Sequence, residues 1–412
     1  MRIILLYLFL TLSGIFVTED GQSQLQKIYL NPKAVGSERQ TRFIDSLSFT
    51  PLEIVNSVEL GVYNNIIITR DYFIINDYTK KLILVYSKKG HYIKEINYKK
   101  TIDVIPAYNE KNNQLIFFGN NKNYSLTPKD EILIALDWNN PRNKKYFKKY
   151  SIDLDDSSFA IKKEEPAKSD ILHAFTFYDD YFWQGQILTS PVYKDSLDYE
   201  IKIYRNDELV NAFFPYNRIN ETKYLYTREN AGFFRTQIPY INLISRPYCD
   251  TIYKMVYDSI YPAYQLVLPL DNSLPPSFFT KPFKNKTERD NFNRNNGWAL
   301  RQILNVYETQ RFLFFGVRYL SNFETYIYQK DTRTTYKSKN IKADSNQYNL
   351  QLLSDNRLIR NGDKFYRIQK AGDLISYFEK NKSATVPKEL QNFINSNPPA
   401  GTPVIVSFKI KN

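Results

Sequence analysis

The chain has 412 residues, a formal charge of +13 and a mean hydropathy of -0.49, which excludes a protein that crosses a membrane many times. Tyrosine (34) and phenylalanine (28) supply much of its 42% hydrophobic content, and aromatic enrichment of this kind suits strands over helices. The positive charge is spread as lysine pairs through turns and strand edges, as at Lys80-Lys81, Lys88-Lys89 and Lys144-Lys145, with no reader motif beside it, which argues against nucleic acid as a partner.

Residues 1–23 read as a secretory signal peptide: Arg2 is the charged start, 3–12 the apolar stretch, and 21–23 the small residues for cleavage. No cysteine lies near that cleavage region, so a lipid anchor is not expected, and no membrane-spanning segment is expected in the mature chain. Residues 24–412 read as one domain, because no linker or low-complexity run divides them. Residues 26–30 form a short strand, and 43–60 carry a further strand and bend.

Residues 71–97 hold three strands. Leu82, Leu84 and Tyr86 alternate with Ile83 and Val85, so this strand is apolar on both faces and should lie between neighbouring sheets. Gly90 supplies the positive φ of the turn that follows. The same hairpin pattern returns at 131–150, 199–214, 251–266, 324–337 and 364–378, and six such hairpins in series point to radial repetition. Residues 102–106 and 114–119 read as another strand pair. Asp180 to Trp183 echoes Asp71 to Ile74, which suggests inner strands of two repeats, within a hairpin over 171–188.

Three departures interrupt the strands. The acidic stretch from Asp153 to Glu164 loosely echoes a calcium loop but places Ser158 where that loop needs glycine, so a solvated acidic loop is the better reading and no metal is expected. Residues 284–300 read as a helical excursion ended by Gly297, and 387–395 as a short helix with Leu390 and Phe393 inward. The strand at 403–409 then stands opposite 26–30, a pair suited to closing a ring within one blade.

Several segments resemble the six-bladed β-propeller family of exported Bacteroidetes proteins, relatives of the NHL-type propellers. Residues 85–96 are similar to its early blade turn. Asp250, Thr251, Ile252, Tyr253, Pro262 and Tyr264 fall on its mid-chain pattern, and 306–317 and 397–411 on its late segments. The family's glycine-rich motif after the first blade is absent here, where Asn97 to Thr101 stand instead, and the cysteine that lipidates many members is missing too. The resemblance implies an all-β six-bladed propeller with short helical excursions, its ring closed by N- and C-terminal strands. It also implies export to the periplasm or cell surface. Short Asp-Ser/Thr-Leu/Ile tripeptides at 45, 195, 250 and 258 resemble the O-glycosylation acceptors of such bacteria.

No motif singles out a catalytic group, a cofactor or a metal. Cys249 lacks a companion histidine for thiol catalysis, and His91 and His173 each stand alone, so all three read as structural. The expected function is non-catalytic binding or scaffolding by a monomer in the cell envelope, with a glycan or a protein as ligand. Trp138, Trp183 and Trp298 are the candidates for stacking on sugar rings, against the simpler reading of each as core. The alternative is a propeller hydrolase of the glycosidase or lactonase type, using channel carboxylates with or without calcium.

Overall fold

The computed structural model describes residues 25–54, 64–98, 106–121, 124–171, 175–176, 181–184, 198–205, 208–216, 231–236, 238, 240–280, 283–353, 359–382 and 384–411. The expected signal peptide, residues 55–60 of the expected strand and bend, residues 102–105 of the expected strand pair, and His173 lie outside them. The fold is all-β and propeller-like.

Three strands open the chain, β1 (Gln26–Tyr29), β2 (Gly36–Arg39) and β3 (Ile44–Pro51). Two sheets follow in sequence, each a run of four antiparallel strands. The first holds β4 (Asn64–Ile68), β5 (Tyr72–Asp77), β6 (Leu82–Ser87) and β7 (Tyr92–Asn97). The second holds β8 (Ala107–Asn109), β9 (Gln114–Asn120), β10 (Phe147–Asp153) and β11 (Ile161–Glu164). A third sheet joins β12 (Phe175–Thr176), β13 (Tyr181–Gln184), β14 (Asp198–Arg205) and β15 (Glu208–Tyr216); it is the least completely described, since 177–180, 185–197 and 206–207 fall outside. The fourth is built from β16 (Gly232–Arg235), β17 (Ile241–Ser245), β18 (Thr251–Val256) and β19 (Ser259–Val267). The fifth is built from β20 (Leu300–Glu308), β21 (Phe312–Tyr319), β22 (Phe323–Gln329) and β23 (Thr334–Lys342), and the last from β24 (Ile359–Asn361), β25 (Lys364–Lys370) and β26 (Pro403–Ile410).

The opening strands complete the last three sheets. β1 runs parallel along β19, from Gln26 beside Tyr264 to Tyr29 beside Val267, and β2 runs parallel along β23. β3 is antiparallel to β26 and supplies the outermost strand of the last sheet. Pairing of the two chain ends within one sheet therefore occurs, but the N-terminal partner of the 403–409 strand is Ile44–Pro51. The stretch at 26–30, expected there, lies on the fourth sheet instead. The long run of eight residues in β3 covers the whole of β26, which four residues could not.

Side-chain alternation explains why these strands are apolar on both faces. Ile83 and Val85 of β6 pack toward the second sheet, while Leu84 and Tyr86 pack toward the last one. In β21, Phe312 and Phe314 enter one apolar cluster and Leu313, Phe315 and Val317 the other. Successive residues point to opposite faces of a strand, so each sheet feeds two cores. Separate clusters join each sheet to the next, and the cluster of Leu52, Ile66, Phe73, Tyr86, Tyr366 and Ile405 joins the last to the first.

Two expected hairpins turn out to be strand and helix. Residues 131–150 hold α1 (Pro128–Leu136) and α2 (Pro141–Lys144) ahead of β10. The helix wins because Thr127 caps it: its hydroxyl accepts from Asp130 N while Asp130 bonds back to Thr127 N, with Pro128 at the first turn. A one-turn helix, α3 (Lys168–Ile171), follows, and α4 (Pro276–Thr280) and α5 (Lys286–Asn295) lie between β19 and β20, the latter on the expected excursion. Residues 371–380 form α6 (Ala371–Lys380) in place of a second strand, since Ala371, Leu374 and Phe378 recur at helical spacing and are all buried. The short helix near the C-terminus is α7 (Lys388–Asn395), with Leu390 buried and Phe393 partly so.

The echo between Asp71 to Ile74 and Asp180 to Trp183 is also reassigned. β5 and β13 occupy the same place in their sheets, but it is the second place; β4 and β12 lie inside them. No helix among the described residues is long and apolar enough to cross a membrane.

Candidate functional site

The three tryptophans do not converge. Trp138 follows α1, where it packs edge-on against Phe147 at 6.4 Å, with Lys144 Nζ 5.5 Å above its ring. It is half-buried in the cluster that links the second and third sheets, so it acts as core. The backbone of Trp183 lies in β13 between Phe175 and Ile203, and its side chain is outside the described residues. Trp298 is different: its side chain is 45% exposed.

The sequence around Trp298 fixes that exposure. Asn285 caps α5 by accepting from Glu288 N at 2.9 Å, and Asn296 ends the helix, its side-chain amide donating to Phe292 O. Gly297 lets the chain pass close to Ser321, whose Cβ would lie 3.1 Å from any added methyl group. Trp298 O accepts from Asn272 Nδ2 at 3.0 Å, and Ala299 O accepts from Leu320 N at 2.9 Å. The indole packs at a tilt against Tyr319, 5.4 Å between ring centres and 57° between planes, and Tyr319 is itself held by a 3.1 Å hydroxyl contact to Tyr326.

Trp298 lines a cleft of about 440 Å³ with Asn295, Asn296, Glu324, Lys337 and Lys339. Lys33 and Asp271 stand at its rim, 3.9 Å apart and both largely exposed. Glu324 Oε1 accepts from Lys337 Nζ at 2.8 Å and from Lys339 Nζ at 3.2 Å. The Glu324 carboxylate holds the Lys339 ammonium above its usual range. An apolar plate faced by amides, a carboxylate and ammonium groups matches a polyol ring, whose C–H face stacks on an aromatic while its hydroxyls exchange hydrogen bonds at the edge.

The far end of β20 presents a second polar assembly. Arg235, ending β16, pairs with Glu110 just beyond β8 at 2.7 Å. Arg360 of β24 donates from Nη1 to Arg235 O at 2.6 Å, and Asn361 donates to Ile68 O at 2.9 Å. These bonds tie together the innermost strands of four sheets. Glu110 is thereby held as an ion-pair partner.

Elsewhere, buried ion pairs brace neighbouring sheets. Arg246 grips both oxygens of the fully buried Glu200 at 2.7 and 2.8 Å, stacked 3.9 Å over Phe214. Burial opposes the Arg246 charge, but the Glu200 pair overcomes it and raises the guanidinium pKa. Burial likewise pushes the Glu308 carboxyl up, and Lys330 at 2.6 Å, Tyr264 and Lys254 more than reverse it. Cys249, read as structural, is half-exposed beside Tyr253 OH at 3.7 Å. His91 is exposed and bonded to Glu53 at 2.6 Å. The acidic stretch after Asp153 folds on itself through turns closed by Asp153 and Asp156, and no group of three metal-binding side chains forms among the described residues.

Of the residues around the cleft, the sequence singled out Trp298 as a candidate and did not single out Glu324, Lys337 or Lys339. The available signal was a carboxylate inside the aromatic strand β22, paired with a lysine of β23 that is only 7% exposed.

No family model matches the chain, and no curated protein matches it. A crystal structure of a Bacteroides fragilis protein provisionally described as exported is similar in fold, with a TM-score of 0.52 at 14% identity over 94% of this chain and 99% of that one. A member of the DUF4221 family from Bacteroides vulgatus gives a TM-score of 0.41 at 14% identity, over 90% of this chain and 98% of that one.

Proposed function

We propose that this chain is an exported, non-catalytic binding protein of the cell envelope, in the periplasm or at the cell surface, whose Trp298 cleft takes a glycan. Its six sheets act as six blades of one ring, as in NHL-type propellers. The ring holds the cleft rigid, so little conformational entropy is lost when a ligand binds. In favour of export stand the signal-like residues 1–23 and the description of the B. fragilis protein of similar fold.

One observation carries the ligand class. Trp298 is 45% exposed, though its backbone is pinned and its ring is in contact with Tyr319. Trp138 keeps its ring within the cluster between the second and third sheets, whereas the Trp298 ring opens on a cleft lined by amides, a carboxylate and ammonium groups, which favours a ligand there. The test is a glycan array that includes bacterial envelope polysaccharides, probed with the full chain. Saturable binding, weakened about tenfold or more by Trp298→Ala and less by Trp298→Phe, is the expected result. Absence of any binding glycan, or equal binding by Trp298→Ala, overturns the reading.

A further inference from the structure

A second, chemically distinct cavity lies toward the opposite end of β20. It holds about 280 Å³ and is walled by Phe234, Tyr307, Phe314, Tyr326 and Phe365, with Arg360 the charged group at its edge beside Arg235. The register of β20 against β21 shifts between Leu304 and Tyr307, and Asn305 there adopts a positive φ of 51° and stays exposed. That bulge keeps this part of the innermost strand from closing over the cavity.

Arg360 is the unusual member. Its guanidinium lies 4.3 Å over the ring of Tyr307, and it donates from Nε to Gly362 O at 3.0 Å and from Nη1 to Arg235 O at 2.6 Å. Among the described residues no carboxylate pairs with it; the nearby Glu110 is engaged by Arg235. Among the described residues, two guanidinium groups thus border the aromatic cavity, and a carboxylate is paired with one of them, Arg235. Burial disfavours the Arg360 charge and lowers its pKa, a cost that an anion at the same place would offset. Guanidinium has five N–H donors in a planar fork; two carbonyls and the Tyr307 hydroxyl engage three of them and leave two for an anion.

We infer that this cavity binds a small organic monoanion, a carboxylate on a flat apolar body, with the carboxylate on Arg360 and the body among Phe234, Phe314 and Phe365. A neutral analogue of the same shape fills the apolar volume but leaves the guanidinium unpaired, so the site discriminates by charge. A glycan fits poorly here, because the walls offer few partners for its hydroxyls.

The probes are 2-naphthoate and 2-naphthamide, titrated calorimetrically into the full chain. The acid is expected to bind once per chain and about tenfold or more tighter than the amide, as one charge-assisted pair in a desolvated site gives. Arg360→Gln removes that preference and Arg360→Lys restores part of it. Thr325→Trp, which narrows the cavity while keeping the guanidinium, abolishes binding of both probes and serves if Arg360→Gln does not fold. Equal affinity for acid and amide, no binding of the acid, or unchanged acid binding by a folded Arg360→Gln or Thr325→Trp protein overturns the inference.

Discussion

Raising the pH should unfold this protein over a narrow range, because its core is held by tyrosines that cannot ionise in place. Tyr86, Tyr264, Tyr319 and Tyr326 are all at most 6% exposed. Burial pushes the Tyr86 and Tyr319 phenols up to about 12 and the Tyr264 and Tyr326 phenols higher still, with the Glu308 carboxylate adding to the effect at Tyr264 and Tyr319 adding to it at Tyr326. In the unfolded chain each ionises near its ordinary value of about 10. Between that value and the folded one, the folded state binds more protons than the unfolded state. Stability is therefore complete below about pH 10 and is lost as the pH rises.

The size follows from linkage. At one pH unit above its unfolded pKa, a phenol that stays protonated in the fold loses roughly 1.4 kcal/mol of stability, or about 1 kcal/mol after allowing for partial solvent access. Four such phenols remove about 4 kcal/mol near pH 11, a large part of the 5–15 kcal/mol that holds an ordinary domain together. Tyrosinate absorbance and far-ultraviolet circular dichroism, recorded together, report this directly. Exposed tyrosines should titrate first and reversibly, and the buried group should appear in one step with loss of strand signal. A single smooth titration of all tyrosines near 10, with the strand signal intact, would refute the argument.

Other perturbations test separate parts of the fold. Gly90→Ala should cost about 2 kcal/mol or more and lower the melting temperature, because Gly90 sits at φ +88° and an added Cβ would lie 2.2 Å from Pro51 O. Truncation after Ala400 removes Val404, Ile405, Val406, Phe408 and Ile410, each at most 2% exposed. At about 2 kcal/mol for each buried side chain the loss approaches the whole stability, so circular dichroism should show no cooperative melt. Glu308→Gln should destabilise by about 3 kcal/mol in urea titrations, since it leaves Lys330 and Lys254 without their carboxylate in a mostly buried place, and Tyr264→Phe should cost less.

The parts of the fold legible in the sequence are those where one local rule acts alone. Alternation in Leu82 to Tyr86 announced a strand between two cores, and Gly90 announced its turn, as each core cluster and the positive φ bear out. The helix at Pro128–Leu136 was hidden because its apolar residues satisfy both periods; only the Thr127 and Asp130 cap decides between them. Pairing of β3 rather than β1 with β26 depends on strand length and on which core face each presents, and neither is local. The same limit applies to the candidate site. A half-exposed Trp298 can be guessed from its setting after a helix, but Glu324 and Lys337 reach it only through the register of two other strands.

The N-terminal strands connect the ring's architecture to the cleft. β1 and β2 each add a parallel fifth strand to sheets that already have four, and on pairing alone they are dispensable in a way that β3 is not. Yet the chain between them carries Pro32 and Lys33, which form one wall of the Trp298 cleft. Leu30 is buried and bonds to Val267 O at 3.0 Å, and Ile28 is buried with it in the core between the fourth and fifth sheets. Ile28 and Leu30 before the bridge and Val35 after it pack into that core and fix the wall in place. A segment that adds little to closing the ring but is fastened firmly across two sheets is accounted for by the cleft it borders.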